Sequence, residues 1–296
     1  MRLSSLFLLL PVFFWGISYI AIKVVLRELE PVEMISARFL LAAPTLFIII
    51  KAKGLRIWPV EKKWGLFAAS FLVFLHFWVM ATGMKETAAS NTAWILTTAP
   101  IFVAALAWFY LKEPFSKHHW TGFILATLGV VVLTANGSWG NLAWINSRGD
   151  VIVLGSCVTW GFYTVATRDI TKKVHPLVAT FWMTLVAGAV FIPYTLATSG
   201  FDVFLEMQPI TSVSLVFLGV LCLAVSFWLW AEGLARYTAA DVGAYLYIEP
   251  LFTMVAAWLL INESITVWIL LGAALITFGV YVSERKGKVK LTEHDV

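Results

Sequence analysis

The sequence predicts an all-α membrane protein of ten transmembrane helices, arranged as two inverted five-helix repeats. Three observations predict it. The composition is too apolar for a soluble domain, ten apolar runs have the character of membrane spans, and one long stretch occurs twice.

Of the 296 residues, 60% are hydrophobic and only 13% are charged, with a mean hydropathy of +0.87. A soluble domain is about a quarter charged, so the chain belongs to the membrane class. The net charge of +4 is modest and its lysines and arginines are scattered over many loops, which gives no support to nucleic-acid binding. Cys157 and Cys222 both sit inside apolar runs, so no disulfide framework is indicated.

A helix needs roughly 20 mostly apolar residues to cross the hydrocarbon core. The ten runs are Leu3–Leu26, Met34–Ile50, Trp64–Met84, Ala88–Leu111, Trp120–Ala135, Val151–Thr167, Pro176–Ala197, Val213–Ala231, Val242–Ile261 and Ile265–Val282. Charged and turn-forming residues separate them. Residues 286–296 form a charged tail.

The stretch Gly83–Val132 returns as Gly233–Val282 at a constant offset of 150 without a gap. Gly83/Gly233, Pro100/Pro250, Phe102/Phe252, Trp108/Trp258, Glu113/Glu263, Gly122/Gly272 and Gly129/Gly279 all fall on it. Nearer the start the offset is 145, pairing Trp15-Gly16 with Trp160-Gly161 and Pro31 with Pro176. A repeat of this length governs the fold, and it divides the chain into 1–140 and 146–285. It also makes the first run an integral member of the repeat, although Arg2 ahead of an apolar run has the look of a signal peptide.

Short loops carry their Lys/Arg excess on one side when the N-terminus is inside, from Lys51, Lys53, Arg56, Lys62 and Lys63 to Arg168, Lys172 and Lys173. The positive-inside rule then puts both termini in the cytoplasm. Five crossings per copy is an odd number, so the second copy enters the bilayer upside down. Inverted repeats of this kind build alternating-access transporters, with solute near the midplane where the copies meet.

These residues resemble the drug/metabolite transporter superfamily, in its ten-helix, two-repeat EamA-type branch. The resemblance rests on the Trp-Gly of the first run, on Arg38-Phe39-Leu40, on the paired segments Pro100…Trp108…Glu113 and Pro250…Trp258…Glu263, and on the glycine pairs. It covers nearly the whole chain and implies two EamA-like repeats. It also implies a secondary transporter in the cell (inner) membrane that exports small metabolites such as amino acids; other members move sugars or nucleotide derivatives. Proton coupling and facilitated diffusion both remain open. A lipid or sugar-lipid translocator is the alternative, told apart by a groove open sideways to lipid. An integral-membrane enzyme is not expected, because no HExxH, GxSxG or P-loop pattern occurs. No cofactor or metal is expected, and His118-His119 lacks further ligands nearby. The expected partners are the lipid bilayer and a small-molecule substrate, with the chain acting as a monomer.

Glu249 is the candidate for proton coupling. It lies within the ninth run beside Pro250, and an ionisable group inside a membrane is a functional hypothesis by default; the plainer alternative is a protonated, hydrogen-bonded glutamate. Tyr245 stands four residues before it, on the same helical face. Asn91, Trp94 and Thr98 form a polar stripe on the fourth run, which faces protein or a cavity rather than lipid, although such residues also glue helices together. Trp15, Tyr19 and Lys23 are spaced four apart, and Trp160 recurs with Arg168 at the other end; each cation either meets a carboxylate at a mouth or snorkels. Arg38, His76 near the centre of the third run, and Tyr163 complete the substrate-binding candidates. Deep tryptophans offer faces to an aromatic or ammonium solute, so aromatic amino acids are favoured. Gly122, Gly129, Gly272 and Gly279 read as close-packing positions. Pro100 and Pro250 are expected to kink their helices and to act as gates.

Overall fold

The computed structural model describes residues 3–58, 61–87, 92, 95–135, 137, 145, 147–261 and 266–284, and every regular element among them is helical. A 3-10 turn, Leu3–Leu8, leads into α1 (Leu9–Val25). Then follow α2 (Pro31–Ala52), α3 (Lys63–Glu86), α4 (Ala99–Tyr110), α5 (Lys117–Ala135), α6 (Arg148–Thr171) and α7 (Pro176–Thr198). The chain continues through α8 (Pro209–Arg236), α9 (Ala239–Ala244), α10 (Glu249–Ile261) and α11 (Val267–Glu284). Seven of these helices are long and apolar enough to cross a membrane. The fourth, ninth and tenth apolar runs carry shorter helices.

Local chemistry sets the helix starts. Proline lacks an N–H and suits the first turn, where that donor has no helical acceptor. Pro31 and Pro176, at equivalent positions of the two copies, open α2 and α7 in this way. Ser147 caps α6 by accepting from the Asp150 amide at 3.1 Å, while Asp150 accepts from the Ser147 amide at 2.9 Å, a reciprocal capping box. Pro100 and Pro250 follow the same rule. Each sits in the first turn of a helix, α4 or α10, and a 3-10 turn at Tyr245–Ile248 precedes α10. Regular α-helical winding therefore resumes at each proline, after a turn at 97–98 and after the 3-10 turn at Tyr245–Ile248.

The inversion is legible in how equivalent residues meet. Gly122 packs on Gly279 and Gly129 on Gly272, so closely that an added Cβ would lie 2.5 Å and 2.8 Å from the facing carbonyl oxygens. Gly122 is the counterpart of Gly272, and Gly129 of Gly279. Equivalent helices α5 and α11 thus run antiparallel, with the same residues facing in swapped order. The swap holds elsewhere. Gly16 packs against Phe252 as Gly161 does against Phe102, and Gly83 against Val153 as Gly233 does against Leu8. Two pairs of equivalent rings meet each other on the axis: Trp15 with Trp160 at 5.6 Å, edge to face, and Phe77 with Phe227 at 6.0 Å, stacked.

Around this interior, α3 lies along α6 and α2 along α7, while α1 lines up with α10. Large apolar side chains such as Ile48, Phe67, Leu128, Val190 and Leu270 stay exposed on the outer faces. Apolar surface on that scale needs a nonaqueous neighbour, and a bilayer supplies it. The chain is a multi-pass membrane protein.

Candidate functional site: a cavity between the two halves

A cavity of about 110 Å³ lies between the halves. Four residues of α1 face it, Trp15, Ser18, Tyr19 and Ile22, the i, i+3, i+4, i+7 spacing of one helical face. Arg38 enters from α2 and His76, Phe77 and Met80 from α3, with Leu96 and Ala99 on either side of the turn before α4. The second copy contributes Trp160, Phe227, Leu246 and Glu249. The aromatic wall is close to symmetric across the axis, but the ionisable groups are not. The counterparts of Arg38, His76 and Glu249 are Met183, Ser226 and Ala99.

The Trp15 indole N–H donates to the Cys222 carbonyl at 2.8 Å. Cys222 lies in a π-helical segment of α8, Phe217–Val225, where the wider winding shifts carbonyls out of the regular ladder. This bond fixes the Trp15 ring against Trp160 and Trp230. The Tyr19 hydroxyl donates to Glu249 Oε1 at 2.7 Å, joining the two copies through an acid at the N-terminus of α10. The His76 Nδ1 stands 3.0 Å from the Ser156 carbonyl. A carbonyl only accepts, so Nδ1 carries the proton and Nε2 is left as an acceptor. Arg38 is 5% exposed. Its guanidinium lies over the Phe77 ring at 5.3 Å, its Nε has no hydrogen-bond partner, and no carboxylate among the described residues pairs with it.

The other described candidates from the sequence fall outside this lining. Lys23 is exposed near the end of α1. Thr98 turns its hydroxyl back to the Ile95 carbonyl at 2.7 Å. Tyr163 is buried against Trp160 and Phe227, and Tyr245 is fully buried away from the cavity lining. Asn91 and Trp94 lie outside the described residues. Ser18, Ile22, Phe77, Met80, Leu96, Phe227 and Leu246 are lining residues that sequence reading passed over. The α1 stripe was the available signal for the first two.

One end of the bundle is tied by buried charge. Arg168 Nε meets Glu113 Oε1 at 3.3 Å and its Nη1 donates to the Leu234 carbonyl at 2.8 Å. Glu113 Oε2 accepts from the Ala239 amide at 2.8 Å. Burial outweighs these partners and holds the Glu113 carboxyl above its ordinary range. Beside it, His119 Nε2 and Asp241 Oδ1 approach to 3.1 Å. At the opposite end, Glu28 accepts from the Thr211 hydroxyl at 2.6 Å and the Gln208 amide at 2.9 Å, which lowers its pKa.

A helical bundle of two inverted halves around a mixed aromatic and ionisable hollow has the architecture of a membrane transporter. The chain belongs to the EamA-like transporter family, whose model matches residues 2–135 and 147–284. An uncharacterized transporter of Archaeoglobus fulgidus is 30% identical over 94% of this chain and 98% of its own, and a second one from that organism is 29% identical over 96% and 98%. A protein of Salmonella typhimurium described as a probable amino-acid metabolite efflux pump is 27% identical over 98% of both chains. A solved structure titled only as the crystal structure of a protein superposes with a TM-score of 0.79, at 17% identity, over 96% of this chain and 97% of that one; this likeness is one of fold. The chain is a transporter.

Proposed function

We propose that the protein is a secondary exporter of small amphipathic metabolites, foremost amino acids and among them aromatic ones, working by alternating access with Glu249 as the proton-coupling group. The observation that carries this reading is the cavity itself. A carboxylate that bridges the halves through Tyr19 stands among the rings of Trp15, Trp160, Phe77 and Phe227. Aromatic faces suit an apolar side chain, and an acid suits an ammonium or a proton. A volume of about 110 Å³ is well below the roughly 300 Å³ of the smallest drug-sized pockets, which favours small solutes over bulky ones. The name of the Salmonella relative points the same way.

The two halves, 1–140 and 146–285, act as the moving units, and the changes of helical winding ahead of Pro100 and Pro250 serve as their flexible points. Both halves reside in one chain and together complete the cavity, so a monomer suffices. The Lys/Arg bias puts both termini in the cytoplasm of a cell whose inner membrane holds the protein. The test is efflux from vesicles carrying the purified protein, loaded with a panel of labelled amino acids, with and without a pH gradient. Gradient-stimulated efflux of aromatic amino acids is expected. Failure to move any amino acid would overturn the reading, and equal rates with and without the gradient would remove the proton.

A further inference from the structure

We infer that Arg38 is an anion subsite, which makes a free carboxylate obligatory in the transported solute. The inference deepens the proposed function and rests on it. A guanidinium buried among apolar groups is costly unless something completes it, and intramembrane arginines mark solute or ion pathways. Arg38 is 5% exposed and lines the cavity. Among the described residues it pairs with no carboxylate and its Nε is unpartnered, and its guanidinium lies over the face of Phe77.

The fold does not require a cation at this place. The equivalent position of the second copy is Met183, 1% exposed, which receives only the Thr167 hydroxyl at 3.8 Å. An apolar side chain fills the symmetric site, so the arginine answers to something other than packing. Glu249 lines the same cavity but forms no ion pair with Arg38. An arginine and a glutamate thus line one hollow without pairing with each other, with the indole rings of Trp15 and Trp160 beside them. A zwitterion with an apolar side chain completes both. Its carboxylate takes the planar fork of Arg38, a geometry the guanidinium matches with two parallel bonds. Its ammonium faces Glu249, and its side chain lies on the rings. An amine without a carboxylate leaves Arg38 as it is in the empty cavity and gains nothing from it.

The experiment needs the full chain in vesicles and three solutes: L-phenylalanine, its carboxamide, and 3-phenylpropionate, which keeps the carboxylate but lacks the amine. Wild type is expected to move L-phenylalanine at least about tenfold faster than the amide, the discrimination typical of a charge-assisted hydrogen bond, and to show measurable inhibition by 3-phenylpropionate. Arg38→Met, which copies the residue of the second half, is expected to bring the acid-to-amide ratio close to one. Arg38→Lys should restore part of it. Equal transport of acid and amide by wild type would sink the subsite while leaving an amino-acid exporter in place, as would an unchanged ratio in Arg38→Met. If wild type moves none of the three, the proposed function falls and the subsite falls with it. The wild-type comparison needs no folded variant.

Discussion

Trp15 and Trp160, the same residue in two copies of one unit, meet edge to face at 5.6 Å on the axis that relates those copies. Their surroundings differ. The Trp15 indole donates to the Cys222 carbonyl, whereas the Trp160 Nε1 is buried without a partner among the described residues. The symmetric scaffold thus presents an asymmetric wall, and no ionisable lining group is matched by its counterpart. Trp15→Phe keeps the ring but removes the donor. It should lower stability by about 1 kcal/mol, the usual worth of a hydrogen bond, and weaken amide-exchange protection over Phe217–Val225. Trp160→Phe removes no bond and should cost less. Thermal unfolding in detergent and hydrogen exchange check both; equal losses would count against the π-segment anchor.

The glycine crossing makes a sharper steric prediction. An added Cβ on Gly129 would lie 2.7 Å from the Ile276 amide nitrogen and 2.8 Å from the Gly272 carbonyl. Backbone atoms cannot yield as a flexible side chain does, so Gly129→Ala should separate α5 from α11 and cost about 1–3 kcal/mol, the range of overpacking. Gly155, inside α6, meets only Val79 Cγ1 at 3.7 Å. There alanine should be neutral or stabilising by about 0.5–1 kcal/mol, because glycine is the worse helix former. A thermal melt that ranks Gly155→Ala below Gly129→Ala contradicts this packing.

The two ends of the bundle should respond to pH with opposite signs. Glu113 holds its proton more tightly when folded than when unfolded, since burial raises its carboxyl above 4.5. Stability from this group is greatest at low pH and declines as pH rises from about that value through the raised one. Glu28 is lowered by Thr211 and Gln208. Its contribution is present above the ordinary carboxylate range and is lost as pH falls through the lowered value. Melting temperature against pH for Glu113→Gln should lose the decline on the alkaline side of 4.5. Thr211→Ala should lose part of the acid-side protection. Unchanged profiles would mean neither group couples to folding.

Much of this arrangement can be read from the chain because membrane packing uses few residue types. Glycines at constant offsets announced both the repeat and its crossings, and the four-residue rhythm of Trp15 and Tyr19 named two of the four α1 residues at the cavity. Backbone winding hid the rest. Tyr245 and Glu249 share a face only in a continuous α-helix, but the 3-10 turn at Tyr245–Ile248 winds three residues per turn, and Tyr245 is buried while Leu246 lines the cavity. The π segment that meets Trp15 carries no distinguishing residue type. The tie between Arg168 and Glu113 spans 55 positions, so a cation at a mouth was visible but its partner was not.

Tyr19 and Glu249 supply the last test, because one hydrogen bond of 2.7 Å joins the two copies at the cavity. Residues that share one bond act as a unit, so their effects do not add. Tyr19→Phe removes the donor, Glu249→Leu removes the acceptor at similar volume, and the double variant removes both. A bond to an ionisable group is worth about 1.5–3 kcal/mol, enough for roughly a tenfold change in transport rate or more. Each single variant should show a loss of that order, and the double variant should be no worse than the worse single. Glu249→Gln retains an acceptor for Tyr19 while losing the titrating proton. It should therefore keep downhill exchange of solute between vesicle compartments but lose stimulation by a pH gradient. If the two losses multiply in the double variant, the pair is not a unit. If Glu249→Gln still responds to the gradient, the proton travels by another group, and His76, which lines the same cavity, is the next to replace.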